Sequence, residues 1–373
     1  MQKKIFEATR IGNLELKNRL WRSATWLNLA DEKGHLTPEL ISRYVELAEG
    51  GVGTIITGYA HIIEEEQPNA GMMGIYCDDF VEEYRPFVKR IHELGSKLIM
   101  QICYGGSSTR YQPDERVIWG PSAVKNRGYG VTPQEMSVED IKTVIDAYAQ
   151  SARRAKEAGF DGVQLHAAHS YLYSQFLSPY FNRREDVYGG SIENRARILF
   201  ETLLAVRNEV GPDYPVLIKM HCTDDWGEKG LKLEESLWIS KELEKLGITA
   251  IEYSGGNPDP RYPHKRPIRS KIRKREKQAY FFEATKQIAA ELNIPVISVG
   301  GHRNVEWMEH ILNDSNIAYV SLSRTLFSEP DLPNKWKKNP AYDPRCTSCA
   351  KCWSPGGNIC ILDRKKNVSH KQK

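Results

Sequence analysis

Residues 162–167 read Gly162-Val163-Gln164-Leu165-His166-Ala167, and the chain continues through Ala168, His169, Ser170 and Tyr171. The run is short, apolar and entered from a helical pattern that stops at Gly159, so it reads as a buried strand whose polar residues gather where it ends. Seven similar runs surround it, at residues 19–24, 53–58, 97–103, 215–221, 250–254, 295–299 and 318–322. Amphipathic stretches separate them, at 37–49, 79–94, 138–158, 192–210, 233–246, 283–292 and 305–312. Such alternation demands parallel strands joined by helical crossovers. Local signals agree: Thr37-Pro38 reads as N-cap and first helical residue, Ser137 precedes Glu139 and Asp140, and Gly159 and Gly247 stand where helices stop. A doubly wound sheet usually has fewer strands, so the expected architecture is α/β, a (β/α)8 TIM barrel with a short C-terminal Cys-rich extension. The barrel is expected over residues 1–340, and the extension with a basic tail over 341–373.

A hydrophobic content of 40% and a charged content of 27% describe an ordinary globular chain, without the apolar run that a membrane helix needs. MQKKIFEATRIG at the start has no apolar signal-peptide core, and a cytoplasmic protein is expected. The net charge of +4 is uneven, with Lys and Arg concentrated at 261–275 and 364–373. A broad basic face with interleaved aromatics is missing, which argues against a nucleic-acid partner. The two segments read either as a solvated loop and tail or, for 261–275, as an attractor of an anionic substrate or cofactor phosphate. The loop at 257–277 is also a candidate mobile lid. Seven cysteines, four of them crowded at the end, fit a reducing compartment better than a disulfide framework.

A TIM barrel builds its active site from the loops at the C-terminal ends of its strands. The candidates are then Thr25 and Trp26, Gly58, Gln101 and Tyr104, His166 to Tyr171, Lys219 and His221, 254–257, 300–303, and Ser323-Arg324. Two imidazoles and a phenol within six residues can polarise a carbonyl and protonate its neighbour. Zinc hydrolysis is a weaker reading of His-x-x-His, because residues three apart on a strand face opposite sides and no Asp or Glu lies in 162–171. A histidine pair that merely satisfies backbone groups is the bland alternative. Gly300-Gly301 and Ser323-Arg324 occupy the two loops that barrels use to cradle a phosphate.

The segment HAAHSYLYSQFLSPYFNRREDVYGGSIENRAR resembles the signature of the Old Yellow Enzyme family of FMN-dependent ene-reductases. KNRLWRSAT, YVELAEGGVGTIITG, AGFDGVQLH, VISVGGHR and SLSRTLFSEPDLPNKW extend the likeness over almost all of residues 5–336. The resemblance implies FMN, with NADH or NADPH as reductant and an activated alkene as substrate. By it, His166 and His169 hold and polarise the activating group, while Tyr171 protonates the α-carbon. Gln101 would meet the flavin pyrimidine edge, Lys219 would sit beside N1 and the C2 carbonyl, and Gly300, Gly301, Ser323 and Arg324 would hold the phosphate. Ala24, Thr25 and Gly58 complete the expected cofactor contacts. Asn182, Arg183, Asp186, Tyr188, Asn194 and Arg197 would hold the loop after the fourth strand. Two departures, Trp26 beside Thr25 in the first-strand loop and Tyr104 where relatives often have histidine, point to an altered pocket and substrate preference.

Cys346-x2-Cys349-x2-Cys352-x7-Cys360 resembles iron–sulfur ligation. Larger dienoyl-CoA reductases of the family carry a 4Fe-4S cluster after the barrel, with wider spacing, followed by an FAD and NAD(P) domain. Iron–sulfur, zinc and unmetallated thiols all remain open. The alternative function is a flavin/iron-sulfur electron-transfer subunit served by a separate redox partner protein. A homo-oligomer is compatible with either reading.

Overall fold

The computed structural model describes residues 2–364, so the basic tail, apart from Arg364, lies outside the described residues. Eight parallel strands close on themselves: β1 (Leu20–Arg22), β2 (Thr54–Ile56), β3 (Lys97–Cys103), β4 (Gly162–Ala167), β5 (Val216–His221), β6 (Ala250–Ser254), β7 (Val296–Val299) and β8 (Ile317–Leu322). Each pairs with the next, and β8 returns to β1 through Val320 opposite Leu20 and Leu322 opposite Arg22. This is the expected (β/α)8 barrel. All eight strands occur, some shorter than the sequence reading because their outer residues turn into the loops.

The helices obey the local signals. Thr37 accepts the Leu40 N–H at the start of Pro38–Glu49, and Ser137 forms a reciprocal capping box with Asp140 at Val138–Glu157. Each such cap contributes about 1 kcal/mol. Gly159 takes φ +91° just past its helix, a conformation that costs a side chain but not glycine. Among the described residues, no helix is long and apolar enough to cross a membrane.

Alternation along the strands sorts the barrel interior into layers. Trp21, Ile56, Ile99, Leu217, Ile297 and Tyr319 form an apolar lower layer, which Ile11 and Leu16 of the hairpin Thr9–Ile11/Leu14–Leu16 close from below. The Tyr319 hydroxyl donates to the Arg10 carbonyl at 2.7 Å, tying hairpin to barrel. Two residues further along the strands the interior becomes polar, and there the cavity begins.

Residues 341–364 pack across the C-terminal ends of the strands. Arg303, buried after β7, donates to the Cys346 and Pro344 carbonyls and pairs with Asp343 at 2.9 Å. Asn358 bonds the Leu27 and Trp26 carbonyls after β1, and Arg345 holds Asp363 at 2.6 Å. The extension therefore roofs the barrel.

Glu66 lies buried in the loop after β2, where Gly105 N–H donates to one carboxyl oxygen at 3.0 Å and the other has no partner. Burial pushes its pKa up to about 8. A raised folded-state pKa gives stability that is full below about pH 4.5 and is lost as pH rises towards 8. Glu66→Gln should remove that decline: thermal melts between pH 5 and 8.5 should show the variant gaining on the wild type as pH rises, and parallel curves would refute the assignment.

Candidate active site

β4 ends at Ala167, and His169 and Ser170 then take φ of 59° and 62°. Two consecutive left-handed residues without glycine each cost about 1–3 kcal/mol and mark a constrained turn. The turn brings the His169 ring back beside His166, 5.2 Å away and nearly perpendicular, with Tyr171 4.7 Å from His166. The second imidazole therefore arrives from a loop and not from the strand.

Each ring is held from behind. Ala168 N–H donates to His166 Nδ1 at 3.3 Å, which leaves the proton of the neutral ring on Nε2. His169 Nε2 meets Ser254 Oγ at 2.8 Å, and its backbone N–H donates to His221 Nε2 at 2.7 Å. Burial, reinforced by nearby cationic and imidazole groups, drives both pKa values well below 6.5, so the pair is neutral at physiological pH. Burial and the Tyr59 and Tyr129 phenols hold the Tyr171 pKa well above 10, so its proton stays on.

Strand register builds the floor. Gln101 lies opposite Gln164, His166 opposite Lys219, and Lys219 opposite Glu252. Gln101 donates to Gln164 at 2.7 Å, and Gln164 to Glu252 at 3.0 Å. Ser23 and Ser321 donate to the other Glu252 oxygen at 2.8 and 2.7 Å. Lys219 Nζ stands 3.3 Å from Glu252 and donates to Ser23 at 2.8 Å. Lys219 is an interior cation, not a surface lysine.

These groups enclose a cavity of about 570 Å³. Its wall contains His166, His169, Tyr171, Gln101 and Lys219, together with Ala24, Thr25, Gly300, Gly301, Ser323 and Arg324. Gly300 and Gly301 take φ of 123° and 87°, and a Cβ on either would stand under 3.0 Å from Phe281 or Ile272. Arg324 Nη1 is buried without a partner. A backbone cradle beside an unsatisfied guanidinium suits a phosphate, and the interior lysine and glutamine suit an electron-rich ring, so the residues fit FMN.

Two expected contributors are elsewhere. Gly58 is not in the cavity wall; its N–H donates to the Tyr44 hydroxyl at 2.7 Å, behind the loop that carries Thr25. Tyr104 is buried against Trp119, its ring 6.2 Å away, and does not line the cavity either. Trp26 does line it. The loop after β4 is held much as expected: Asn182 donates to the Phe176 and Tyr188 carbonyls, Asp186 accepts from Arg184, and Arg197 donates to Val187 and Asn194. Arg183 contributes through its backbone N–H to Ser122.

Cys346 reaches the wall, and burial, reinforced by the other three thiols of the segment, pushes the Cys352 thiol up to about 11. Among the described residues, no group of three His, Cys, Asp or Glu side chains is disposed to hold a metal ion. All seven cysteines are free thiols.

Glu252, Tyr59, Arg110, Tyr129 and Trp353 were absent from the sequence-derived site. A charge inside the strand Ala-Ile-Glu-Tyr-Ser was the available signal for Glu252. Tyr59 adjoins Gly58, one step from the residue chosen. Nothing local marks Arg110, Tyr129 or Trp353, which long loops deliver.

The chain belongs to the NADH:flavin oxidoreductase / NADH oxidase family, whose model matches residues 4–342. It is 34% identical to an NADH oxidase of Thermoanaerobacter brockii, over 92% of this chain and 52% of that protein. An NADPH dehydrogenase of Clostridium acetobutylicum is 32% identical, over 88% of this chain and 92% of its own length. A solved 2-naphthoyl-CoA reductase in complex with 2-naphthoyl-CoA aligns with a TM-score of 0.86 at 26% identity, covering 94% of this chain and 55% of that one. The chain thus spans about half the length of two of these proteins and nearly all of the third.

The buried pair makes a stability prediction. Glu252→Gln leaves Lys219 charged without its partner, which should cost about 3–5 kcal/mol in urea unfolding. In a Lys219→Met background the same change should cost much less, and equal costs in both backgrounds would rule out the coupling.

Proposed function

We propose that the protein reduces activated carbon–carbon double bonds with FMN, drawing electrons from NADH or NADPH. The observation that carries this reading is the neutral His166–His169 pair facing the same cavity as a firmly protonated Tyr171. Bound FMN supplies the hydride that the β-carbon of the substrate receives. Gln101 and Lys219 would hold its ring, and Gly300, Gly301, Ser323 and Arg324 its phosphate.

The two imidazoles donate hydrogen bonds to the oxygen of the activating group without a buried charge of their own. That polarises the double bond and orients it. Ser254 and His221 fix the direction from which His169 approaches. Tyr171 keeps its proton until the α-carbon becomes basic enough to take it. The enclosing wall limits water, which protects the polarised substrate and strengthens each hydrogen bond.

Tyr171→Phe should slow the reduction of an enone by about 100-fold or more while leaving the bleaching of the flavin by NADPH within twofold. Replacing both His166 and His169 with alanine should likewise spare flavin reduction and abolish most enone reduction. Wild-type enone turnover in the double variant would sink the clamp assignment.

A second reading rests on the extension. The sequence spacing of its four cysteines resembles iron–sulfur ligation, which would make the protein an electron acceptor from a redox partner. Protein purified anaerobically should then contain about four irons and a broad absorption beyond the flavin bands. Iron near zero would leave the segment as a thiol-bearing roof and direct reduction by nicotinamide as the working route.

A further inference from the structure

The cavity wall contains five cationic side chains, Arg110, Lys219, Arg266, Arg303 and Arg324, and no Asp or Glu. Lys219 is compensated from below by Glu252, Arg303 is clamped to Asp343, and Arg324 faces the glycine cradle. Arg266 belongs to the loop after β6, beside Pro267, whose carbonyl accepts from Tyr280 at 3.1 Å. Arg110 stands apart from these, in the long loop after β3.

Its environment is aromatic. The guanidinium lies 4.6 Å over the Tyr129 ring and 5.3 Å over the Trp353 ring, while the Arg110 backbone N–H is anchored to the Pro68 carbonyl at 2.8 Å. Trp353 in turn meets Trp26 edge-on at 5.3 Å. Among the described residues, no carboxylate pairs with Arg110. Arg110 lines the cavity yet stays exposed, and a planar guanidinium laid against aromatic faces retains N–H donors that can bind a carboxylate through parallel hydrogen bonds. Tyr129 links it to the reaction centre, since the Tyr129 hydroxyl lies beside Tyr171.

We propose that the substrate carries a carboxylate, separate from the activating group at the histidine pair, and that Arg110 binds it between Tyr129 and Trp353. The proposal rests on the reductase reading for the identity of the activating group but not for the anion site itself. The ligand it describes is a flat, largely apolar unsaturated ketone or ester with a carboxylate at its far end. Tyr59, Trp26 and Trp353 would pack against its body, and the extension would thereby help select the substrate, because Trp353 lies within it. Neutral alkenes of the same shape would bind, but more weakly.

Isothermal titration of the flavin-loaded protein with 4-(3-oxobut-1-enyl)benzoate and with its methyl ester tests this directly. The acid should bind at least about tenfold more tightly than the ester, the lower end for a charge-assisted pair at a partly open site. Arg110→Met should level the two affinities, Arg110→Lys should restore part of the preference, and Arg266→Met should keep it. Equal affinities in the wild type, or a preference that survives Arg110→Met or disappears in Arg266→Met, would overturn the proposal. Turnover is measured separately. An acid preference without alkene reduction would count against the reductase reading alone, whereas reduction of acid and ester at equal affinity would count against the carboxylate site alone.

Discussion

The Glu252 carboxylate is the constraint on which the upper half of the barrel depends. It is fully buried, which is tolerable only because Gln164, Lys219 and Ser321 from β4, β5 and β8, and Ser23 just past β1, all turn towards it. One side chain thus ties together strands that are distant in sequence. It also sets the level at which the apolar packing below gives way to a polar floor. Lys219 is held rigid and upright by this arrangement, and Gln101 is oriented through Gln164. A network this fully satisfied leaves few alternative positions for the groups that line the cavity.

Above the floor, the site is built from loops whose geometry the barrel controls only at their roots. The left-handed pair His169-Ser170 lies one residue past β4, so the histidine pair inherits the rigidity of the strand. Tyr59 comes from just beyond β2 and Tyr129 from a long excursion after β3, yet both converge on Tyr171. The Cys-rich extension completes the enclosure from the far end of the chain, stitched down by Arg303, Arg345 and Asn358. Residues 341–364 form a segment that roofs the cavity. Loops and additions at this end of a barrel are where specificity generally varies on a shared scaffold.

Much of this was legible without coordinates. Strand and helix alternation is set by hydrophobic period, and eight repeats have essentially one closed solution, so the architecture follows from the pattern of residues 19–322. Residues at strand ends had to converge, which found His166, His169, Tyr171, Gln101, Lys219, the glycine pair and Arg324. Gly58 failed because one step along a loop turns a residue from the cavity to its back, and no periodicity governs that step. Tyr104 failed for a similar reason: the chain after Cys103 bends, and the phenol stacks on Trp119 instead.

The amino-acid sequence alone determined the barrel, the side of it on which chemistry occurs, and the residue types at the reaction centre, because these depend on local periodicity and on the fixed polarity of parallel strands. Only the tertiary structure decided which charges meet. Lys219 with Glu252 is a matter of register between strands, Arg110 over Tyr129 and Trp353 joins segments more than two hundred residues apart, and the folded-back extension has no local signal at all. Through-space contacts of that kind set the protonation of the histidines, the polarity of the floor and the aromatic setting of Arg110.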